Sequence, residues 1–439
     1  MEKLVSNGGS NARWTKIELF LLLTTMTEQD EDIIIVEPEE GTIIGMEDFA
    51  HDQELVNVRI ADGVEEIGIE AFFRCTQMKS LVIPDSVTKI GQRAFVGCSA
   101  LTKIVIPDTL TAIKGNAFAN CNPLEQPIRT GRSLIRWKTA AGDVTIPEGI
   151  MKICDGAFSR CKEMTSVTIP DSVTDIGDNA DGVTLCNADI VQNSDGAFYA
   201  CKGLASIVIP DSVKRIGSYA FYGCSGLENS VIGQGVEEIG REAFVGCTGL
   251  TSVVIPKSVK KFGNHAFSGC TGLTNVVIED GVTTIGQFAF SGCTGLTSVV
   301  IPKSVTQIGY GAFSGCTGLS DIFIPKSVKT IGDGAFSCCT GLTNIILPEG
   351  VKEIARSTFG GCSKLSAIFL PDTLETIGWR AFSNCESLVS ITIPDGVKEI
   401  EYQSFSDCTA LTNVTMSQKT RINKNTFDNC PNLKNIVRV

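Results

Sequence analysis

From Ile301 the chain reads IPKSVTQIGYGAFSGCTGLSDIF, and from Ile324 it begins again as IPKSVKTIGDGAFSCCTGLTNII. Phenylalanines keep the register: Phe49, Phe72, Phe95, Phe118, Phe158, Phe198, Phe221, Phe244, Phe267, Phe290, Phe313, Phe336, Phe359, Phe382, Phe405 and Phe427. The spacing is 23 except for two gaps of 40, each carrying 17 extra residues, and a last gap of 22. A period of this length excludes an ordinary globular core. One unit is too small to bury its own apolar face, so neighbouring units must stack to bury it for each other. The 439 residues then form one elongated array rather than several domains.

Each unit follows L-x-x-(V/I)-x-I-P-x-S-V-x-x-I-G-x-x-A-F-x-x-C. Near Phe95, Ile104 and Ile106 alternate with Lys103 and Val105, the period of a half-buried strand. Pro107 has no N–H with which to continue a ladder and ends it. Val87 and Ile90 supply a second inward pair, and Gly91 permits a sharp turn. Ala94, Phe95, Cys98 and Leu101 fall at i, i+1, i+4 and i+7, which predicts one face of a short helix. Sixteen such units at ~4.8 Å give a parallel sheet about 75 Å long. Helices are wider than strands, so the stack is expected to curve with its sheet inside.

This pattern resembles the leucine-rich repeat, and the IPxSVxxIGxxAFxxC version resembles its BspA-like subfamily, from Ile35 to Val439. The resemblance implies an α/β repeat solenoid, a curved stack of about sixteen 23-residue units with a parallel concave sheet. It also implies surface adhesins or intracellular interaction proteins as the functional range, and it brings no catalytic motif. Residues 1–34 are read as an N-terminal capping helix, Asn11 to Thr27, with an acidic linker; residues 35–439 are the repeats. The unit around Phe49 has Asp52 where cysteine belongs and reads as a polar cap. NIVRV is a plausible last strand with an uncovered edge.

Fifteen of the 18 cysteines sit three residues after the register phenylalanine. If the convex side is helical, neighbouring cysteines lie about 8–10 Å apart, beyond the ~7 Å that a disulfide spans. The column is therefore read as buried free thiols acting as small hydrophobes, which suits a reducing compartment. Cys154 and Cys186 stand outside the column and are expected to be exposed.

Composition narrows the function. A formal charge of -12, with eleven acids and no Lys or Arg between Glu28 and Glu54, argues against nucleic acid. The apolar run Ile17 to Met26 is too short to span a bilayer. The two histidines, His51 and His265, are some nine units apart, and no phosphate-binding loop occurs. No enzyme, cofactor or metal site is therefore expected.

What remains is surface. One outward strand position is small and mostly polar. The other is apolar for eight successive units: Val208, Val231, Val254, Val277, Val300, Phe323, Ile346 and Phe369. β-Branched residues suit exposed strands on propensity alone, but large aromatics on an open sheet suggest a partner-binding ridge.

The two insertions are the other candidates. Residues 125–143 carry Arg129, Arg132, Arg136, Trp137 and Lys138, and SLIRWK–TAAGD–VTIP reads as a β-hairpin. Residues 181–197 lie in a stretch with Asp175, Asp178, Asp181, Asp189 and Asp195. The two are expected to pair or to form a two-signed docking site. The resulting expectation is a non-catalytic interaction scaffold, binding a protein partner through the concave face and the hairpin. It is monomeric, with end-to-end association open to it, and cytoplasmic. The alternative is a cell-surface or secreted adhesin for host or matrix proteins.

Overall fold

The computed structural model describes residues 3–6, 33–38, 40–107, 109–113, 117–118, 120–121, 127–130, 132–137, 139–177 and 195–439. They fall into two units: residues 1–140, 150–158 and 179–195, and residues 141–149, 159–178 and 196–439. Both are built from the same parallel-strand coil.

The coil around Phe267 shows the plan. The long strand Ser252–Ile255 turns inward Val253 and Ile255, both buried, and outward Ser252 and Val254. Pro256 ends it, a turn follows, and the short strand Lys261–Phe262 comes next. A tight turn then carries Ala266, Phe267 and Cys270 into the core, where all three are fully buried. Coils join by backbone hydrogen bonds on every side. Ser252 to Ile255 pair in register with Asn275 to Ile278, and Glu238 with Lys261.

The predicted helical turn is absent: no helix occurs among the described residues. Alternate N–H groups of the turn leave the coil, His265 to the Gln287 carbonyl, Phe267 to Ala289 and Gly269 to Ser291, each at 2.8 Å. Those between close tight turns within it, as when Ser268 N–H donates to the His265 carbonyl at 3.1 Å. His265 and Gly269 are left-handed, at φ 57° and 69°, and a right-handed helix cannot pass through such residues. Four inward side chains at helical spacing are thus presented by turns, and the α/β label gives way to an all-strand solenoid of about sixteen coils.

Without helices the predicted convex spacing also fails. The register phenylalanines stack face to face, with centroids 5.3 Å apart for Phe49–Phe72 in the first unit. In the second unit they range from 4.8 Å for Phe244–Phe267 to 5.7 Å for Phe336–Phe359. This is close to the ~4.8 Å of neighbouring strands, so the premise for curvature, a wide helical side, is missing. Each ring contributes about 1.5–3 kcal/mol by burial, and each stack about 0.5–1.5 kcal/mol more.

In most coils a glycine follows the short strand, and it serves this close approach. A Cβ on Gly91 would sit 2.5 Å from the Gly68 carbonyl carbon, and one on Gly263 would sit 2.4 Å from that of Gly240.

Candidate functional site: the open face of the long strands

Most of the predicted ridge lies where the sequence placed it, in the second unit. Val208, Val231, Val254 and Val300 are exposed, as are Phe323, Ile346 and Phe369; Val277 is half-buried. Phe323 is the most open, at 75%. Strand register aligns the row: Val208 pairs with Val231, Val254 with Val277, Val277 with Val300, and Ile346 with Phe369. The long-strand sheet stops at Ser298–Val300 and resumes at Asn344–Ile346, so Phe323 projects from a coil with no long strand.

The polar flank of the ridge is partly satisfied within the stack. Hydroxyls just before several long strands donate to the carbonyl one coil back: Thr274 to Thr251 at 3.0 Å, Thr297 to Thr274 at 3.1 Å and Ser366 to Thr343 at 3.1 Å. Those donors are spent inside the stack, while Ser252, Ser298 and Asp321 beside the apolar row are exposed and give this face a polar margin. In the first unit the face differs. Ser80, which occupies the small polar strand position, is buried and donates to the Asn57 side chain at 2.9 Å.

Charges gather on the short strands instead. Arg215 lies 3.7 Å from Asp175 and 3.9 Å from Glu238, and Lys261 lies 3.4 Å from Glu238. Glu375 sits between Lys398 and Lys352, whose hydrogen bonds hold its carboxyl below the usual range. Such exposed pairs are worth little each; they neutralise the surface rather than build a site. Among the described residues no group of three or more His, Cys, Asp or Glu side chains is placed to hold a metal.

The first insertion does contain a hairpin, but not between the predicted strands. Ile128–Thr130 and Ser133–Arg136 form an antiparallel hairpin whose last pair is Thr130 with Ser133, well before TAAGD. Ser133–Arg136 then pairs in parallel with Lys152–Ile153, which is a short-strand position. Trp137 N–H donates to the Ala157 carbonyl at 2.7 Å, the bond a register phenylalanine makes, and its ring lies 5.9 Å from Phe158. The segment is therefore a shortened coil, with Trp137 half-buried in the phenylalanine column rather than projecting. Arg132 is exposed at the hairpin turn, with a guanidinium nitrogen 3.1 Å from Met151 Sδ. Arg129 and Arg136 lie on the hairpin strands.

Several predictions fall outside the described residues: Lys138, Asp178, Asp181, Asp189, Cys186 and the helix at 11–27. Asp175 is described and faces Arg215. Near the start of the chain, Lys3–Ser6 forms a strand paired in parallel with Ile33–Glu37, so the Phe49 coil is not the outermost element.

Sequence reading missed a feature of the turn side. Trp379 has the guanidinium carbons of Arg356 at 4.0 Å and Arg380 at 5.1 Å from its ring centre, with exposed Tyr402 one coil on. Arg356, Trp379 and Tyr402 share one register position, three residues before a column phenylalanine, which was the available signal.

Cysteine spacing was misjudged, yet the column is reduced. Sixteen described cysteines are free. Most column thiols also act as donors, as Cys270 Sγ does to the Phe244 carbonyl at 3.1 Å and Cys362 to Phe336 at 3.2 Å. Cys154, expected to be exposed, is fully buried and disulfide-bonded.

Repeated coils of strand and turn, sealed by an inward column and open along one strand face, define a leucine-rich-repeat solenoid. The chain belongs to the BspA type leucine-rich repeat family, which it matches in six copies over residues 42–132, 132–192, 191–320, 266–368 and 330–438. It is similar to a leucine-rich repeat protein from Bacteroides ovatus at 30% identity and a TM-score of 0.57, over 85% of this chain and 82% of that one. A leucine rich cell surface protein from Faecalibacterium prausnitzii is 32% identical over 75% and 82%, with a TM-score of 0.40. No functionally curated protein matches the chain.

Proposed function

We propose that the chain is a non-catalytic protein-interaction scaffold that binds a partner protein through the open strand face of its second unit. Repeats of this family generally act as such scaffolds. The observation that carries the reading is the aligned apolar row from Val208 to Phe369, open to water at seven of eight positions and rising to 75% exposure at Phe323. β-Propensity accounts for valine on an exposed strand; it does not account for a phenylalanine on a coil without one. Large aromatics in an apolar row are what an interface uses as anchors. Arg129, Arg132 and Arg136 of the hairpin are a second, basic contact, while Trp137 belongs to the packing of its coil.

An exported adhesin is the second reading, favoured by the disulfide at Cys154, since disulfides persist in oxidising surroundings. The sixteen free thiols favour the cytoplasm.

The test compares the intact chain with a Phe323→Ser, Phe369→Ser variant that keeps the same circular dichroism. Each is cross-linked in an extract of its own source cells, and recovered proteins are quantified. A protein captured by the intact chain and lost with the variant is the expected result. A captured set that the substitutions leave unchanged contradicts this face as the binding surface.

A further inference from the structure

The cysteine column departs from its buried interior at two pairs, Cys98–Cys121 and Cys408–Cys430. Cys408 is fully buried, whereas Cys430, one coil on, is half-buried. Cys408 Sγ lies 3.1 Å from the Phe382 carbonyl and Cys430 Sγ 3.0 Å from that of Phe405. Their coils are locked in register. Asn413 to Met416 pair with Asn435 to Arg438, and on the turn side Phe405 N–H donates to the Thr426 carbonyl at 2.9 Å and Asp407 N–H to Asp428 at 2.8 Å. The rings of Phe405 and Phe427 are 5.5 Å apart. Equivalent atoms at this spacing fall inside the ~4.4–6.8 Å Cα range in which a disulfide closes.

We propose that Cys430 and Cys408 form a hydroperoxide-reactive dithiol, closing to a disulfide between the Phe405 and Phe427 coils. Accessibility sets the order of events, because a solute oxidant reaches Cys430 first. The neighbouring Cys408 thiol holds the Cys430 thiol below its ordinary value, against burial and the nearby Asp407 and Asp428 carboxylates, while Cys430 and burial push Cys408 up. That favours Cys430 as the thiolate that reacts and Cys408 as the thiol that resolves. The Cys430 thiolate attacks the peroxide O–O bond, forming a sulfenic acid and releasing hydroxide, or alkoxide from an organic peroxide. Cys408 then gives its proton to that base as its sulfur displaces the sulfenic hydroxyl, which leaves as hydroxide and takes up the proton lost from Cys430. Two thiols lose two electrons, and one peroxide is reduced to two waters, or to an alcohol and water. The interior thiols, equally close to one another, are shielded from the oxidant.

The experiment treats the full chain, reduced without unfolding and then desalted, with hydrogen peroxide. Free thiols are alkylated after unfolding, and peptides are mapped by mass spectrometry. The expected product joins the Cys408 and Cys430 peptides with the loss of two hydrogens, while Cys270 and Cys293 are alkylated and unlinked. In Cys408→Ser the Cys430 sulfenic acid should persist and be trapped by dimedone. Recovery of Cys408 and Cys430 as separate alkylated peptides after peroxide overturns the proposal. So does oxidation of Cys430 to the sulfinic acid in the unsubstituted chain with no link to Cys408; neither result depends on the variant folding.

Discussion

Cys270 donates its thiol to the carbonyl oxygen of Phe244, one coil back, at 3.1 Å. That oxygen already accepts the Cys247 N–H at 3.2 Å, so the thiol adds a second bond and fills the space beside the ring. The recurring cysteine is thus a packing residue with a polar bonus. Loss of the sulfur leaves the carbonyl satisfied, so Cys270→Ala should cost only about 1 kcal/mol, near the value of one buried methylene. Phe267→Ala removes a stacked and fully buried ring, and should cost about 3–5 kcal/mol. Urea midpoints of the two variants rank them; a Cys270→Ala loss equal to that of Phe267→Ala would refute the subsidiary role of the thiol.

The thiol column also makes the fold sensitive to alkali. Burial pushes the Cys224, Cys339 and Cys385 thiols up to about 12, from an ordinary 9.0. A folded value raised above the unfolded one gives stability that is fully present below about pH 9 and lost as the pH climbs toward 12. Each such thiol weakens the fold by about 1.4 kcal/mol per pH unit across that window, and the column multiplies the effect. Melting temperature should therefore hold up to about pH 9 and fall steeply from there toward about pH 12. An unchanged melting temperature over that interval would mean the thiols are not held neutral.

Two kinds of glycine should respond differently to one added methyl. At Gly263 the new Cβ would meet Gly240 backbone at 2.4 Å, so one coil must shift against the other, and Gly263→Ala should cost about 3 kcal/mol. Gly246 has φ +69° and its nearest neighbour at 3.9 Å; Ala200 and Cys338 occupy its register position in other coils at φ 54° and 58°. Gly246→Ala should then cost about 1 kcal/mol, the left-handed strain alone. Denaturant midpoints check the order, and equal losses would dismiss the close-approach explanation.

The repeat length and the inward set were readable from sequence. Val87, Ile90, Ala94, Phe95, Cys98 and Leu101 are all fully buried, as their pattern predicted. The helix was misread because that pattern reports only which side chains point inward, not which backbone carries them. The overlooked signal lay two residues after each phenylalanine, where Gly97, Gly223, Gly246, Gly269, Gly292, Gly315 and Gly361 recur, with Asn120, Asn384 and Asn429 elsewhere. Glycine and asparagine are the residues that enter the left-handed region most easily. Trp137 hid for another reason. It stands 19 residues after Phe118 and 21 before Phe158, so a search at a fixed period passes over it. The exposed ridge was legible because strand alternation fixes which residues face out; the missing strand at Phe323 depends on backbone geometry that no residue pattern announces.

Far-UV circular dichroism of the purified chain tests most directly whether coils of strand and turn, joined by backbone bonds on every side, replace a helical convex wall. The account predicts a single β-type minimum without the paired minima of α-helix from the repeat region. A substantial helical signal that survives removal of residues 1–32 would contradict it.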